Sequence, residues 1–317
     1  MQQAADGIFA HITLPQTVKY TLRNVHGTVV VDIVCDVIQH TVSCAAELVK
    51  GGYDVTVFEK EATAGGALRY AIPDYAGHKA LLDEEVENLK DCGVKFVFGK
   101  SVSDIAELKA EGFEKVFAAV GANKKAAAPM EGEDAREFLY KVNCGEKPAV
   151  SERVVVIGGG FAAVDAARCA VRLGAKNVTV LNPAGFSKRS GDAEALNEAK
   201  EEGVIFKFLT NPAEIIGENG KVKAVKLQVM ELGEPDASGR RSPVAVEGKF
   251  EILEIDSFIA AIGQKVVPAG FEALELNNKG IIAADEQTFR TNLPDVFAVG
   301  DATNRGAGIA IAAIGEA

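Results

Sequence analysis

The sequence has few of the residues that bind metals or form redox-active bonds. Its 317 residues include no tryptophan, four histidines and five cysteines. The histidines are His11, His26, His40 and His78, and the cysteines are Cys35, Cys44, Cys92, Cys144 and Cys169. The histidines lack the spacing of metal ligands, and no two cysteines form a Cys-x-x-Cys pair. This pattern excludes a local iron-sulfur cluster or redox disulfide and predicts reduced thiols in a cytoplasmic protein.

Signals for a membrane, a nucleic acid or a hydrolase are also missing. No apolar run approaches the roughly 20 residues that span a bilayer, and the first residues show no basic region followed by an apolar one. The formal net charge of -11 argues against nucleic acid or anionic membrane as the main partner. There is no Gly-x-Ser-x-Gly motif and no phosphate-loop lysine. We therefore expect a soluble globular protein.

The chain alternates between short β-branched runs and longer segments rich in Ala, Leu, Glu and Lys. This alternation predicts parallel strands connected by helices, and 317 residues suffice for about two domains. The pattern pauses near residues 143–148, and a new strand follows at Arg153, which predicts a domain boundary. The predicted strands cover residues 29–34, 54–59, 94–98, 115–120, 177–181 and 204–209, the predicted helices cover 44–50, 79–91 and 193–202, and a hairpin covers 221–250.

The most informative segment covers residues 153–168 and reads Arg-Val-Val-Val-Ile-Gly-Gly-Gly-Phe-Ala-Ala-Val-Asp-Ala-Ala-Arg. A buried strand, a glycine turn and a helix start follow each other here, as in dinucleotide-binding proteins. Gly158 permits the tight turn, Gly160 lets a pyrophosphate approach the backbone, and Ala163 lets the helix pack close to the strand. We predict that these residues, together with Phe161, bind a nicotinamide dinucleotide. The alternative is a strand-to-helix turn that binds no ligand.

Further short motifs surround this segment in a defined order. Gly-Tyr-Asp-Val-Thr-Val-Phe-Glu ends at Glu59, Gly-Gly-Ala-Leu-Arg-Tyr-Ala-Ile-Pro covers residues 65–73, and Ala-Val-Gly-Ala covers 119–122. Met-Glu-Leu-Gly-Glu-Pro-Asp starts at residue 230, Ala-Ile-Gly-Gln covers 261–264, and Val-Phe-Ala-Val-Gly-Asp ends at Asp301. By the order and spacing of these motifs the chain resembles the two-dinucleotide-domain flavoproteins. Among these are the small subunit of bacterial glutamate synthase, the flavin module of dihydropyrimidine dehydrogenase and selenate reductase-type flavin subunits.

The resemblance implies an α/β fold with two Rossmann-like dinucleotide-binding domains, in which the NAD(P)-type domain is inserted into a split FAD-type domain. The implied limits are 1–27 for an N-terminal extension, 28–146 and 265–317 for the two parts of the FAD-type domain, and 147–264 for the NAD(P)-type domain. The implied chemistry is hydride transfer from NADPH or NADH to FAD. The protein would contribute orientation rather than a catalytic acid or base, so no catalytic residue is assigned.

The resemblance also implies roles for single residues. Glu59 would accept hydrogen bonds from the adenosine ribose of FAD, and Asp301, after Gly300, would lie at the ribityl chain. Residues 65–69 would follow the flavin nucleotide, and residues 72–73 would approach the isoalloxazine ring. The remaining predicted cofactor-binding residues are Gly65, Gly66, Arg69, Ile72, Pro73, Gly121 and Gly263. The alternatives are solvated carboxylates at the two strand ends, an ordinary glycine turn and a surface charge at Arg69.

The chain departs from the family at the first dinucleotide turn. Counting back from Tyr53, the three glycine positions hold Asp36, Ile38 and Thr41. A carboxylate repels a pyrophosphate, and a branched side chain obstructs its approach to the backbone. Three explanations stand side by side: the loop takes another course and still holds FAD, the protein has lost FAD and kept the fold, or residues 1 to about 42 are misread, for example through a frameshift.

A second departure lies after the strand that ends at Leu181. The sequence continues with Asn182, Pro183 and Ala184, so it has neither the arginines that bind the 2′-phosphate of NADPH nor the carboxylate that binds the ribose of NADH. Lys188 and Arg189 follow in the next loop, either as phosphate ligands or as a solvated basic pair. The choice between NAD and NADP stays open.

Two functions are consistent with these residues. The first is an NAD(P)H-dependent flavoprotein subunit that passes electrons through FAD to a partner, either an iron-sulfur subunit or a larger catalytic subunit. A partner is expected because the sequence offers no cluster ligands or redox disulfide to take the electrons further. The second is a non-catalytic homologue with an impaired FAD site, which acts as a nucleotide-sensing or assembly subunit.

Overall fold

The computed structural model describes residues 28–33, 38–77, 79–122, 124–125, 132–184, 192–218, 221–235, 241–265, 270–278 and 280–303. These residues form two compact units. Of the described residues, the first unit contains those up to Arg69, those within 74–124 and those from residue 264 onward. The second unit contains residues 70–73 and 125–263.

The elements of the described residues are numbered in chain order. The strands are β1 (Thr28–Ile33), β2 (Asp54–Glu59), β3 (Lys95–Phe98), β4 (Lys115–Ala118), β5 (Lys124–Lys125), β6 (Glu133–Asp134), β7 (Arg153–Ile157), β8 (Asn177–Asn182), β9 (Ile205–Phe208), β10 (Thr210–Glu218), β11 (Lys221–Pro235), β12 (Arg241–Glu254), β13 (Ser257–Ala260), β14 (Gln264–Lys265) and β15 (Val296–Ala298). The helices are α1 (Ile38–Lys50), α2 (Gly66–Tyr70), α3 (Lys79–Asp91), α4 (Ile105–Ala110), α5 (Ala135–Asn143), α6 (Phe161–Arg172) and α7 (Asp192–Glu201), and a 3-10 helix covers Gly300–Ala302.

The first unit is built on a five-stranded parallel sheet in the order β15-β4-β1-β2-β3. Its strands are rich in β-branched residues because helices and loops cover both faces of a parallel sheet. In β2, for example, Val55, Thr56 and Val57 are all buried. Helices α1 and α3 lie in the connections from β1 to β2 and from β2 to β3, as parallel neighbours require.

Two apolar clusters form the core of the first unit. One joins α1 and α3 to the sheet and includes Val42, Ala45, Val49, Val55, Val57, Leu82, Val86 and Leu89. The other joins α4, β4, β15 and the chain after residue 270, and includes Phe58, Ile105, Leu108, Val116, Phe271, Leu274, Ile282 and Val296. The second cluster closes the split unit, since it brings together residues that lie on either side of the second unit in the sequence.

The second unit contains a parallel sheet and an antiparallel sheet. The parallel sheet has the order β6-β13-β7-β8-β9, and the antiparallel sheet has the order β10-β11-β12. Residues of both sheets form one buried cluster, which includes Val155, Ile157, Leu181, Val225, Leu227 and Phe258. Helix α6 follows β7 and buries its small residues Ala163, Ala166, Ala167 and Ala170.

The predicted fold class is confirmed, since two parallel α/β sheets occur and the second lies in an insertion into the first unit. The predicted limits of 28–146 and 147–264 stay a prediction about domains. The contacts group residues 125–143 with the second unit, because β6 pairs with β13 and α5 packs on α6. The sequence analysis did not predict β6 or α5, which directly precede the pause near residue 143.

Candidate functional site

The strand order of the parallel sheet in the second unit defines a position for a ligand-binding crevice, at the carboxyl ends of the strands. From β7 the chain proceeds outward to β8 and β9, whereas β13 lies on the opposite side of β7. In open α/β sheets, ligands bind outside the carboxyl ends of the strands at this reversal of strand order. The predicted glycine turn, residues 158–160, follows β7 directly at this point.

Position 158 must be a glycine because of its neighbours in the fold, whether or not a ligand binds. Its φ is +154°, and a Cβ there would lie 2.3 Å from the carbonyl oxygen of Ala261. Its N–H donates to the carbonyl of Leu181 at 3.0 Å, and the N–H of Ala261 donates to the carbonyl of Ile157 at 2.7 Å. The turn is therefore tight because β8 and the end of β13 close on it from both sides.

Gly160 differs from Gly158, because nothing in the described protein requires a glycine there. It is the N-cap residue of α6 with φ -101°, and its backbone conformation is open to any residue. A Cβ at this position would meet no atom within 4 Å. The open space lies beside the first turn of α6, whose first two N–H groups precede the start of the hydrogen-bond ladder of the helix. This arrangement fits an anionic group that approaches the backbone closely.

Phe161 and Ala163 lie in the first turn of α6 and face different surroundings. Phe161 is 51% exposed, whereas Ala163 is 1% exposed. The N–H of Ala163 donates to the carbonyl of Gly160 at 3.1 Å. Ala163 thus lets α6 pack closely, as predicted from its size, while Phe161 leaves an aromatic ring in solvent at the mouth of the turn.

Asn182 occupies the end of β8, next to the glycine turn. A Cβ at Gly159 would lie 2.7 Å from its Nδ2 atom, and its Oδ1 atom accepts the N–H of Ala184 at 3.0 Å. A carboxylate at the end of this strand usually binds the ribose 2′-hydroxyl of NAD. A neutral amide takes that place here, and Lys188 and Arg189 lie outside the described residues. Gly263 follows β13 with φ +96° and is exposed.

In the first unit, Glu59 is the most unusual of the predicted site residues. It ends β2 and is 0% exposed, so a solvated strand-end carboxylate is excluded. Its Oε1 atom accepts the N–H of Glu61 at 2.9 Å, whereas Oε2 has no hydrogen-bond partner in the described protein. Burial raises the pKa of Glu59 to about 7, although backbone N–H groups favour the charged form. An unpaired buried carboxylate oxygen fits a ligand that donates hydrogen bonds, such as a ribose.

The first dinucleotide turn is described in part. Asp36 lies outside the described residues, and α1 begins at Ile38, five residues after the end of β1 at Ile33. Thr41 is 0% exposed, and its Oγ1 atom has no hydrogen-bond partner in the described protein. The chain thus keeps the strand, the short connection and the helix without glycines at these positions, and it buries an unpaired hydroxyl where the family has a small residue.

The turn before α2 is held by Arg69. Gly65 has φ +153°, and a Cβ there would lie 2.4 Å from the Cβ of Arg69. Gly66 begins α2 with φ +45°. The Nε atom of Arg69 donates to the carbonyl of Ala64 at 2.6 Å, and its guanidinium forms an ion pair with Asp83. The side chain of Arg69 is 14% exposed, so it is a packed residue rather than a free surface charge.

Gly121, Gly300 and Asp301 follow β4 and β15 at the edge of the sheet where β2 ends in Glu59. Gly121 and Gly300 are buried with φ +63° and +72°, and Asp301 is half-buried. In the strand order, β4 and β1 separate β15 from β2. Three strand spacings correspond to about 14 Å, so Glu59 and Asp301 are placed for the two ends of an elongated ligand.

Ile72 and Pro73 follow α2, and their contacts group them with the second unit. Pro73 is buried and Ile72 is half-buried. The residues that hold this segment, Tyr140 and Asn143, were missed by the sequence analysis. No local pattern could have identified them, because their partner Tyr70 lies about 70 residues earlier in the chain.

Among the described residues, no group of three or more His, Cys, Asp or Glu side chains could hold a metal ion. In the same part of the chain, no helix is both long and apolar enough to cross a membrane.

Comparisons with known proteins agree with this geometry. The chain is 35% identical over 272 residues to the NADP(+)-dependent formate dehydrogenase subunit beta of Moorella thermoacetica, which covers 82% of this chain and 38% of that protein. It is 32% identical over 302 residues to the glutamate synthase (NADPH) small chain of Escherichia coli, which covers 86% of this chain and 63% of that protein. The chain therefore spans less than two thirds of either relative.

Among solved structures, FprA of Mycobacterium tuberculosis in complex with NADPH has the same fold, with a TM-score of 0.73 and 19% identity. The match covers 91% of this chain and 82% of that one. The family model of pyridine nucleotide-disulphide oxidoreductases matches residues 41–317. These findings confirm the predicted resemblance, and the chain belongs to the pyridine nucleotide-disulphide oxidoreductase family.

Proposed function

We propose that the chain is the flavin- and nicotinamide-binding part of an oxidoreductase subunit that takes hydride from NADPH or NADH and passes the electrons through FAD to a partner. Membership of the family supports the oxidoreductase activity. The names of the two relatives, a subunit beta and a small chain, support a partner subunit. We further propose that the partner is an iron-sulfur or larger catalytic subunit.

The observation that carries this proposal is the open space at Gly160. The protein uses a glycine there without a conformational or steric reason of its own, beside the N-terminal turn of α6. A dinucleotide pyrophosphate explains the glycine, because it must approach the backbone closely. It also explains the place beside the helix start, because it carries negative charge. We propose that Gly158, Gly160, Phe161, Ala163 and, across the crevice, Gly263 hold the nicotinamide dinucleotide.

The first unit is proposed to hold FAD. The unpaired Oε2 of Glu59 supports a ribose at the β2 end of the sheet edge, and Asp301 is proposed to bind the ribityl chain at the other end. Gly121 and Gly300 leave room for the backbone to follow the ligand. Along the flavin nucleotide and the isoalloxazine ring we propose Gly65, Gly66, Arg69, Ile72 and Pro73.

The chemistry supplied by the bound groups is hydride transfer from nicotinamide to flavin. The chain's own residues bind and orient the two groups, and no side chain is proposed as an acid or base. A cytoplasmic location is part of the proposal, as the scattered cysteines of the sequence predict.

A second function is favoured by one observation. The buried, unpaired hydroxyl of Thr41 at a position where the family has a small residue favours a non-catalytic homologue with an impaired FAD site. Such a chain would keep the nicotinamide site and act as a nucleotide-sensing or assembly subunit.

The visible spectrum of the purified protein separates these functions. Bound oxidised flavin absorbs at about 375 and 450 nm, so these bands support the first function and their absence supports the second. The nicotinamide site is tested with Gly160→Val, which fills the open space. We expect the Kd for NADPH or NADH to rise at least about a hundredfold, while the protein stays folded. Ala106→Val, in the first turn of α4, is the matched control, since Ala106 is exposed on a helix of the first unit. Unchanged binding by Gly160→Val would place the nucleotide elsewhere.

A further inference from the structure

Asn182 has a fixed place at the carboxyl end of β8, beside the glycine turn of the second unit. In the parallel ladder, Leu181 pairs with Ile157. Leu181 precedes Asn182, and Ile157 precedes the turn at residues 158–160, so the amide side chain and the turn are neighbours. In dinucleotide-binding proteins the residue that contacts the ribose 2′ position follows the turn by about 20 residues, and Asn182 follows it by 22.

The amide group of Asn182 has a defined orientation. The N–H of Ala184 donates to its Oδ1 atom at 3.0 Å, and only the oxygen of an amide group can accept a hydrogen bond. Nδ2 is therefore the atom that can donate to a ligand. Among the described residues, none accepts a hydrogen bond from Nδ2, and the side chain is half-buried.

Gly159, in the middle of the turn, gives this amide its room. Its φ is not positive, so its backbone conformation does not call for a glycine. A Cβ at position 159 would lie 2.7 Å from Nδ2 and 2.8 Å from Oδ1 of Asn182. Both end atoms of the amide thus lie against the backbone of the turn. The sequence analysis assigned no role to Gly159, and the structure gives it one that depends on Asn182.

The charged residue beside Asn182 in the sheet register is already paired. In β9, Lys207 lies opposite Leu181, one residue from Asn182. Its ammonium group forms an ion pair with Glu251 at 2.6 Å, so its charge is compensated within the protein. The side chain that the end of β8 offers to a ligand is therefore a neutral hydrogen-bond donor.

We propose that Asn182 determines the nucleotide specificity of the second unit and makes it accept NADH and NADPH with similar affinity. This inference rests on the proposed function, which assigns the dinucleotide to the turn at residues 158–160. The 2′-hydroxyl oxygen of NADH and the 2′-phosphate oxygens of NADPH can both accept a hydrogen bond from Nδ2. A carboxylate would repel the phosphate and an arginine would favour it, whereas a neutral amide does neither.

The first test measures the Kd for each nucleotide by calorimetry. We expect the two Kd values of the parent to agree within about tenfold, and Asn182→Ala to raise both about fivefold, the change that one hydrogen bond supports. Asn182→Asp keeps the acceptor for Ala184 and adds a charge, so the ratio of the Kd for NADPH to the Kd for NADH should rise about tenfold. Asn177→Asp is the matched control, because it adds the same charge at the exposed first residue of β8 and should leave the ratio unchanged.

The second test separates the amide from the rest of the turn. Gly159→Ala places a Cβ where the amide lies and displaces it, so both Kd values should rise about fivefold. In the Asn182→Ala background the same substitution meets no amide, and it should change neither Kd by more than about twofold. This lack of additivity is expected only if Gly159 acts through Asn182.

Each outcome decides between distinct conclusions. A parent that prefers one nucleotide by more than about tenfold would overturn the inference, and loss of that preference in Lys188→Ala with Arg189→Ala would assign the specificity to the next loop. An unchanged ratio in Asn182→Asp, or additive effects of Gly159→Ala and Asn182→Ala, would also overturn it and leave the proposed function intact. A parent that binds neither nucleotide would overturn the proposed function and with it this inference.

Discussion

Replacing Glu59 by glutamine tests whether the first unit keeps a protonated carboxyl group at the proposed FAD site. The side chain is 0% exposed, and burial raises its pKa from 4.5 to about 7. A carboxyl group with a higher pKa in the folded chain stabilises the fold while it is protonated. This contribution is fully present below about pH 4.5 and is lost as the pH rises through about 7.

The magnitude follows from the two pKa values. The difference between 4.5 and about 7, at about 1.4 kcal/mol per pKa unit, corresponds to about 3 kcal/mol. Between pH 5 and pH 8 the parent protein without FAD should lose most of this free energy of unfolding, about 2.5 kcal/mol, through Glu59 alone, because the group in the unfolded chain is already largely ionised at pH 5. Glu59→Gln carries no titrating group at this position, so its free energy of unfolding should fall by about 2.5 kcal/mol less over the same range.

Urea unfolding of the flavin-free protein at pH 5, 6, 7 and 8 measures this difference, since all other titrating groups cancel between parent and variant. Glu194→Gln, at an exposed glutamate of α7, is the control and should follow the parent. Parallel pH profiles for the parent and Glu59→Gln would refute the reasoning, because they would mean that Glu59 titrates alike in the folded and unfolded chains.

The same carboxyl group predicts the pH dependence of FAD binding. A ribose hydroxyl that donates to Oε2 favours the ionised form, so binding should release a proton. We expect the affinity for FAD to rise up to about tenfold between pH 6 and pH 8 in the parent and to stay constant in Glu59→Gln. A parental affinity that is independent of pH would contradict the assignment of Glu59 to the ribose.

Two further predictions concern single side chains. Thr41→Val removes a buried hydroxyl that has no partner among the described residues and keeps the side-chain shape, so the free energy of unfolding should rise by about 1 kcal/mol in urea titrations. Thr303→Val is the contrasting variant and should lower it, because the Thr303 hydroxyl donates to the Gly300 carbonyl at 2.8 Å. Asn182→Asp keeps the acceptor for the Ala184 N–H and adds a negative charge at the end of β8. Calorimetry should show the Kd for NADPH rising about tenfold more than the Kd for NADH, and equal changes would mean that Asn182 does not face the ribose.

The strands and helices that the sequence predicted well are those whose signal is local. The helix predicted over 79–91 has these bounds in the structure, and the strands at 54–59 and 177–181 agree within one residue. Strands of a parallel sheet are buried on both faces, so their β-branched runs are visible without tertiary information. Helix α1 starts six residues before its predicted start at Cys44.

The candidate site was predicted as a set of residues, but their individual roles were not. The fingerprint over 153–168 assigned Gly158 and Gly160 to the same turn. In the structure, a side chain at position 158 would collide with the carbonyl of Ala261, which lies about 100 residues away in the sequence. Gly160, in contrast, faces open space. The distinction depends on where β13 ends, and β13 reaches its place only when the parallel sheet of the second unit is complete.

The sequence by itself determined the two strand-turn-helix units and the residue types at their turns, because backbone conformation and burial on both faces act over a few neighbouring residues. Tertiary structure alone decided that Glu59 is fully buried with an unpaired oxygen, and that Tyr70 rests on Tyr140 and Asn143. Burial of a charge and contacts between distant side chains arise from the packing of whole elements. The two partners of such a contact lie too far apart to share a short window of sequence. The role of each residue therefore cannot be predicted until the fold brings its partner next to it.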